Sequence, residues 1–301
     1  MALPSVGTRV TYPAGDLIAR ARVLHVEPVA TDDGERLAVL LDTTSIHPVD
    51  AGWPDQPADA GVITVIDGAA LTVLDAIVAA TDGETLHLGR DIPVRKGTEG
   101  WAFVVAHLVD AGSAIAEGDE VETRADALLR ASLSRGHTAC HLASLALNRA
   151  LADRWTKDPR RDPLGSPDFD AAAIASSRIE PNGSVDRYRL NKSLRRAGFD
   201  ATVFTGEYGA DELRAAEASI DDTLATWIAG GGDIRIERDG DLLTDRRQWA
   251  ADLEGGTARL FCGGTHATSL ADLGDVRVRL ELVDDDGTPT LVMTTRAHAP
   301  S

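Results

Sequence analysis

Residues 124–155, RADALLRASLSRGHTACHLASLALNRALADRW, decide how the chain is read, because here its hydrophobic period changes. Residues 124–135 and 137–155 place Leu and Ala at helical spacing among strong helix formers, and the second stretch contains neither Gly nor Pro. With Gly136 between them, two consecutive helices are expected. Upstream the text is different. Residues 8–12, 21–26, 36–41, 61–67 and 101–108 are short, rich in Val, Ile and Leu, and separated by Pro-Ala-Gly, Asp-Asp-Gly, Asp-Gly and Ala-Gly punctuation. Short strands at such spacing predict a small barrel or sandwich. Downstream, residues 191–197 read as a short basic helix ended by Gly198, and 211–229 as a helix stopped by Gly230-Gly231-Gly232. Residues 234–238, 276–283 and 290–295 alternate again. The expected fold class is α+β, with an N-terminal small β-barrel domain over 1–122 followed by a helix-on-antiparallel-sheet domain over 123–301.

Charge is the next constraint. The 301 residues hold 30 basic and 48 acidic side chains, a net charge of −18. Phosphate recognition needs clustered Lys and Arg, so this balance first argues against a nucleic-acid partner. Mapping it along the chain changes the conclusion. Residues 124–196 are net +6, while 1–123 are −13 and 197–301 are −11. Within the basic middle, Arg187, Arg189, Lys192, Arg195 and Arg196 crowd around Tyr188, a pattern able to hold phosphates and stack a base, or simply to form a solvated face. The 43% hydrophobic content excludes wholesale disorder. The longest apolar run, 101–109, is too short to span a bilayer. The N-terminus lacks the charged start and apolar stretch of a secretion signal, so a cytoplasmic, membrane-free protein is expected. Two cysteines, Cys140 and Cys262, permit at most one disulfide, and none is expected in a reducing compartment.

His137 and His141 stand four apart on the second helical stretch, so both imidazoles leave one face a turn apart. They suit one shared cation, or else two hydrogen-bonded histidines at a helix start. Cys262-Gly263-Gly264-Thr265-His266 adds a thiolate and an imidazole bracketing two glycines. Two His from one segment with Cys and His from another make a zinc-compatible set, His137, His141, Cys262 and His266. Cys140 projects off the histidine face and reads as a small core hydrophobe. His25, His87, His107 and His298 lack ligand spacing.

HTACHLASLALN at 137–148 followed by CGGTH at 262–266 resembles the editing domain of alanyl-tRNA synthetase, and most closely the free-standing alanyl-tRNA editing proteins called AlaX. Threonyl-tRNA synthetases share the HxxxH and CxxxH spacing, but their second motif usually reads C-x-G-P-H, with Pro where this chain has Thr265. The Pro- and Gly-rich loop 46–61, IHPVDAGWPDQPADAG, resembles that family's HPxGGGQPxDxG segment at His47-Pro48, Gln56-Pro57 and Asp59-Ala60-Gly61. It departs by losing the glycine triplet, with VDAGWPD between the two matched pairs. The resemblance covers most of the chain. It implies an editing domain over 123–301 and zinc-dependent hydrolysis of an aminoacyl ester on tRNA for alanine wrongly charged with serine or glycine. Thr138 and Thr265, next to metal ligands, and Gln56 from the loop are the implied substrate contacts. Two alternatives accompany this expectation: hydrolysis of a small ester or amide without tRNA, and a non-catalytic RNA- or partner-binding module with structural zinc.

Overall fold

The computed structural model describes residues 2–299. The chain divides into two compact units. Unit 1 runs to Arg130 and includes Ile236–Arg247 and Gly263–Thr265; unit 2 holds Ala131–Arg235, Gln248–Cys262 and the residues from His266 on. The boundary expected at 122/123 thus lies at 130/131, and two later segments return to unit 1. Those returns depend on tertiary pairing, for example Leu243 N–H to Thr8 O at 2.9 Å, which has no local sequence signal.

Unit 1 contributes β1 (Arg9–Val10), β2 (Ile18–Thr31), β3 (Gly34–Leu41), β4 (Thr43–Thr44), β5 (Gly61–Val65), β6 (Ala70–Val73), β7 (Asp75–Thr81), β8 (Leu86–Leu88), β9 (Ala102–Asp110) and β10 (Glu120–Ala125). Eight of them form one antiparallel sheet in the order β6-β5-β10-β2-β3-β9-β7-β8. Among the described residues no ladder joins the two ends of that order, and no closed barrel of the kind expected from the sequence is found. One bend in the sheet has a local cause. β6 pairs with β5 and β7 with β9, and the two strands meet at Leu74, whose N–H donates to Leu108 O at 2.8 Å. β9 is buried from Ala102 to Val109, the mark of a strand covered on both faces. Val105 and Val109 pack with Val39 and Val78 on one side, while Val104, Ala106 and Leu108 pack with Leu40 and Ala79 on the other.

His107 lies in the middle of that strand, fully buried. Its Nδ1 donates to Val39 O at 3.0 Å, and its Nε2 accepts from the Thr44 hydroxyl at 2.9 Å. The neutral imidazole satisfies both ring nitrogens, and burial lowers the pKa from 6.5 to about 4. The unfolded chain therefore binds this proton first. Its contribution to stability is full above about pH 6.5 and is lost as pH falls toward 4. An NMR titration of His107 is expected to show a midpoint near 4; a midpoint near 6.5 would contradict the burial argument.

Unit 2 and the segments crossing into it contribute α1 (Ala127–Ala150), α2 (Phe169–Ala173), β11 (Ile174–Glu180), β12 (Gly183–Arg189), α3 (Lys192–Ala197), α4 (Thr202–Thr205), α5 (Gly209–Gly230), β13 (Ile234–Arg238), β14 (Arg247–Leu253), β15 (Gly256–Phe261), β16 (Val276–Asp285) and β17 (Thr288–Ala297). They form an antiparallel sheet β11-β12-β17-β16 and a three-stranded sheet β13-β14-β15. The α+β class is as expected. α5 covers the edge strand β16: Glu217 and Asp221 accept from the backbone N–H groups of Leu280 and Val278 at 2.6 and 2.9 Å, groups a bare edge would leave to water. Both cysteines are free. Among the described residues no helix is long and apolar enough to cross a membrane.

The two helices expected around Gly136 are one. Asp126 caps its start by accepting from Leu129 N–H at 2.9 Å, and the helix continues unbroken to Ala150. Gly136 is there because the β11–β12 turn lies against it. A Cβ at this position would sit 2.4 Å from Glu180 O and 2.6 Å from Gly183 N and O. These are backbone atoms that no rotamer change can move. Gly136→Ala is expected to cost about 2 kcal/mol or more, read as a lower melting temperature. An unchanged melting temperature would show that the turn yields freely.

Candidate metal centre

In unit 2, His137 and His141 project from α1 one turn apart, with ring centroids 4.8 Å from each other. The chain leaves β15 at Phe261, and Cys262 and His266 follow within five residues. The single ligand atoms of His137, His141, Cys262 and His266 all lie within 4.8 Å of one another. Cys262 Sγ is 3.4 Å from His137 Nε2 and 3.1 Å from His266 Nε2. Zinc–nitrogen bonds near 2.0–2.1 Å and zinc–sulfur bonds near 2.3 Å place tetrahedral donors about 3.3–3.6 Å apart. The donor set is compatible with one zinc ion, and the two separations of 3.4 and 3.1 Å lie near that range. His137 is buried and the other three are partly exposed, so the cluster has a route to solvent.

The orientation of His266 is fixed from behind. With Nε2 turned toward Cys262, its Nδ1 lies 3.3 Å from Thr138 Oγ1, and that oxygen also accepts the Ala267 N–H at 3.0 Å. An imidazole that gives its Nε2 lone pair to a cation keeps its proton on Nδ1, which then donates to Thr138. Thr138 is fully buried. Trp249, also fully buried, sets its ring 5.1 Å from that of His141 and supplies an apolar wall. No sequence signal marked it. Cys140, as expected, is outside the donor set: its Sγ donates to Asp186 Oδ1 at 3.4 Å. Burial, with the nearby Asp186 charge, pushes its pKa up and keeps it a thiol.

Within CGGTH, Gly263 does not serve a left-handed turn: its φ is not positive, and a Cβ there meets open space.

In unit 1, the loop 46–61 is fastened at two points. Gln56 donates from Nε2 to Thr265 Oγ1 at 2.9 Å and accepts the Thr265 N–H on Oε1 at 3.0 Å. Both partners are buried, and Thr265 is the residue before His266 in the chain. The second fastening is the Asp59 carboxylate, which accepts from the His47 N–H at 2.6 Å and from Arg130 through both of its oxygens. Arg130 also donates to Ser45 O at 2.7 Å. His47 is a loop residue whose imidazole burial holds neutral, with a pKa lowered to about 4. Sequence reasoning missed Arg130, because nothing local pairs it with a carboxylate 71 residues away.

The basic segment divides by strand alternation. On β12, Ser184, Asp186 and Tyr188 face inward, while Arg187 and Arg189 face outward. Arg187 is 3.3 Å from Asp285. Lys192, Arg195 and Arg196 are exposed on α3, capped by Asn191 at its start and by left-handed Gly198 at its end. Tyr188 corrects the expectation of a base-stacking ring. It is fully buried, its ring packs on Phe169 with centroids 5.4 Å apart, and its hydroxyl donates to Asp170 at 3.1 Å.

No family model matches the chain. Three curated relatives are alanine–tRNA ligases. The chain is 28% identical to that of Frankia alni over 260 residues, covering 85% of this chain and 24% of the ligase. It is 27% identical to that of Kineococcus radiotolerans over 281 residues, 91% of this chain and 26% of the ligase. It is 25% identical to that of Haloquadratum walsbyi over 260 residues, 84% of this chain and 22% of the ligase. The chain spans about a quarter of the length of the curated relatives it matches. It is therefore homologous to alanyl-tRNA synthetases over one segment, in agreement with the resemblance to their editing domain carried by HTACH and CGGTH.

Proposed function

We propose that the protein is a cytoplasmic, zinc-dependent aminoacyl-tRNA deacylase that clears tRNA for alanine charged with serine or glycine. The observation that carries this reading is the convergence of His137, His141, Cys262 and His266 on one point in a chain homologous to alanyl-tRNA synthetases. Zinc held by these donors supplies Lewis acidity toward an ester carbonyl or a water molecule. Four protein donors are the full complement of a structural zinc site, so one of the four would have to give up its place for the ion to act on a substrate. Cys262 contributes the negative charge of the donor set, and Thr138 holds His266 in the tautomer that binds through Nε2. Thr138, Thr265 and Gln56 are proposed as substrate contacts. Gln56, with both ends of its amide on Thr265, fixes that residue's hydroxyl and N–H.

Editing of this kind answers a physical limit: a synthetase pocket rejects a smaller residue, or one with an added hydroxyl, only weakly. Arg187, Arg189, Lys192, Arg195 and Arg196 are proposed to grip tRNA phosphates, since they lie in the one net-positive segment, 124–196. The test is hydrolysis of tRNA for alanine charged with serine, glycine or alanine by the zinc-loaded protein. Loss of the seryl or glycyl ester with sparing of the alanyl ester is expected, at a rate falling steeply with salt. Persistence of all three esters refutes the proposal. A salt-independent rate on small esters alone assigns the site to substrates without tRNA.

A further inference from the structure

The apolar core of unit 1 reaches the surface at a cleft of about 520 Å³. Val78 of β7 and Phe103 of β9 line it, and both are buried members of the unit's main apolar cluster. Ile92 and Val94, from the turn after β8, line it as well, half-buried and packed against the same cluster. Cations stand around this apolar lining. Residues 1–123 contain only seven Arg and Lys, and three of them, Arg90, Arg95 and Lys96, line the cleft. Among the described residues Asp50 is the one carboxylate that lines it, and both of its oxygens are engaged. Oδ1 accepts the Gly52 N–H at 2.9 Å, and Oδ2 lies 3.0 Å from Lys96 Nζ. Asp50 and Lys96 therefore neutralise each other. Among the described residues no carboxylate lies within ion-pairing distance of the Arg90 or Arg95 guanidinium, and both residues are exposed. Two uncommitted positive charges thus remain beside an apolar lining, in a segment that is −13 overall.

We infer that this cleft binds a small amphiphilic carboxylate, its apolar body against Val78, Phe103, Ile92 and Val94 and its head on Arg90 and Arg95. Concave, mostly apolar pockets of a few hundred Å³ with a few polar groups are the usual form of a small-molecule site. A guanidinium fork matches the two oxygens of a carboxylate. Neither half of the site suffices alone. An exposed guanidinium holds a bare anion only weakly against water and salt. An apolar lining alone does not distinguish a charged amphiphile from a neutral one, whereas two free guanidiniums favour the anion and repel a cation of the same shape. None of the proposed metal donors lines the cleft, so the inference stands or falls apart from the deacylase reading.

The test is titration of the intact chain with octanoate below its micelle concentration, followed by isothermal calorimetry and by methyl NMR. Saturable binding of one octanoate per chain is expected, with shifts at the methyls of Val78, Ile92 and Val94. Affinity should rise by up to about fourfold per methylene from butanoate to octanoate, the effect of taking one CH₂ out of water. Octanol and octylamine keep the tail without the anionic head, and should bind at least about tenfold more weakly. Arg90→Gln combined with Arg95→Gln is expected to weaken octanoate about tenfold or more, while the paired Lys substitutions keep most of the affinity. Methyl shifts of the unaltered protein keep the test decisive if a variant folds poorly. Absence of saturable octanoate binding, or shifts confined to other parts of the chain, overturns the inference. So does unchanged affinity in a Gln variant that melts like the parent protein. Equal binding of octanol makes the cleft an unselective apolar patch, and displacement of octanoate by equimolar inorganic phosphate makes it a site for simple anions. Tighter binding of AMP makes it a nucleotide site, and binding to vesicles of anionic phospholipid but not to octanoate makes it a membrane contact; each of these outcomes also rejects it.

Discussion

Cys262→Ala is expected to lose zinc and deacylation together while unit 2 stays folded. Cys262 Sγ is the donor nearest to two imidazoles, 3.4 Å from His137 Nε2 and 3.1 Å from His266 Nε2. It is also the only anionic member of the set. Losing a partner that merely orients a ligand costs about 10–100-fold in metal affinity. Losing the thiolate itself should cost at least about 100-fold on that scale, and hydrolysis should fall to the uncatalysed rate. Thr138→Val, which keeps the volume and removes the acceptor for His266 Nδ1, belongs in the intermediate class at about 10–100-fold. Zinc content after dialysis, affinity by chelator competition and the melting curve separate the possibilities. Retention of stoichiometric zinc by Cys262→Ala contradicts the donor assignment. Collapse of the melting transition on removing zinc instead marks the ion as structural, the behaviour of a binding module rather than a hydrolase.

The second large effect lies in unit 1. Arg130→Ala is expected to destabilise the protein by about 3–5 kcal/mol. Side chains of Arg130 and Asp59 are 6% and 1% exposed, and truncating the arginine strands a buried carboxylate. It also removes the donor to Ser45 O, so the loop 46–61 loses its tie to the start of α1. A drop in melting temperature on the order of 10 °C should follow, at about 3 °C per kcal/mol for a unit of this size. Replacing the pair together, Arg130→Met with Asp59→Leu, should recover part of the loss, because apolar groups of similar volume often substitute for a buried ion pair without large cost. A single substitution that melts within a degree of the parent protein would show that the pair carries no stability.

The parts of the fold that could be read from the sequence are those written in local chemistry. α3 is announced by Asn191 and ended by Gly198, and α5 lies within a residue or two of the periodic stretch that predicted it. The cluster of four candidate donors was legible, with His137 and Cys262 125 residues apart, because the residue types are rare and their spacing within each half is specific. What escaped has one cause: a choice settled by a distant partner. β12 was not read as a strand because its inward face carries Ser184, Asp186 and Tyr188, so it shows no apolar alternation. Five cations surround Tyr188 in sequence, the mark of a surface ring, whereas strand geometry turns it the other way. Gly136 looked like a break between helices and is instead the space into which the β11–β12 turn fits.

The claim on which the rest depends is that these four side chains hold one zinc ion. X-ray absorption at the zinc edge of the purified protein addresses it without any substrate. One zinc per chain, with a first coordination sphere of three nitrogens near 2.0–2.1 Å and one sulfur near 2.3 Å, is predicted. A sphere without sulfur, or a protein that takes up no zinc, would contradict the account.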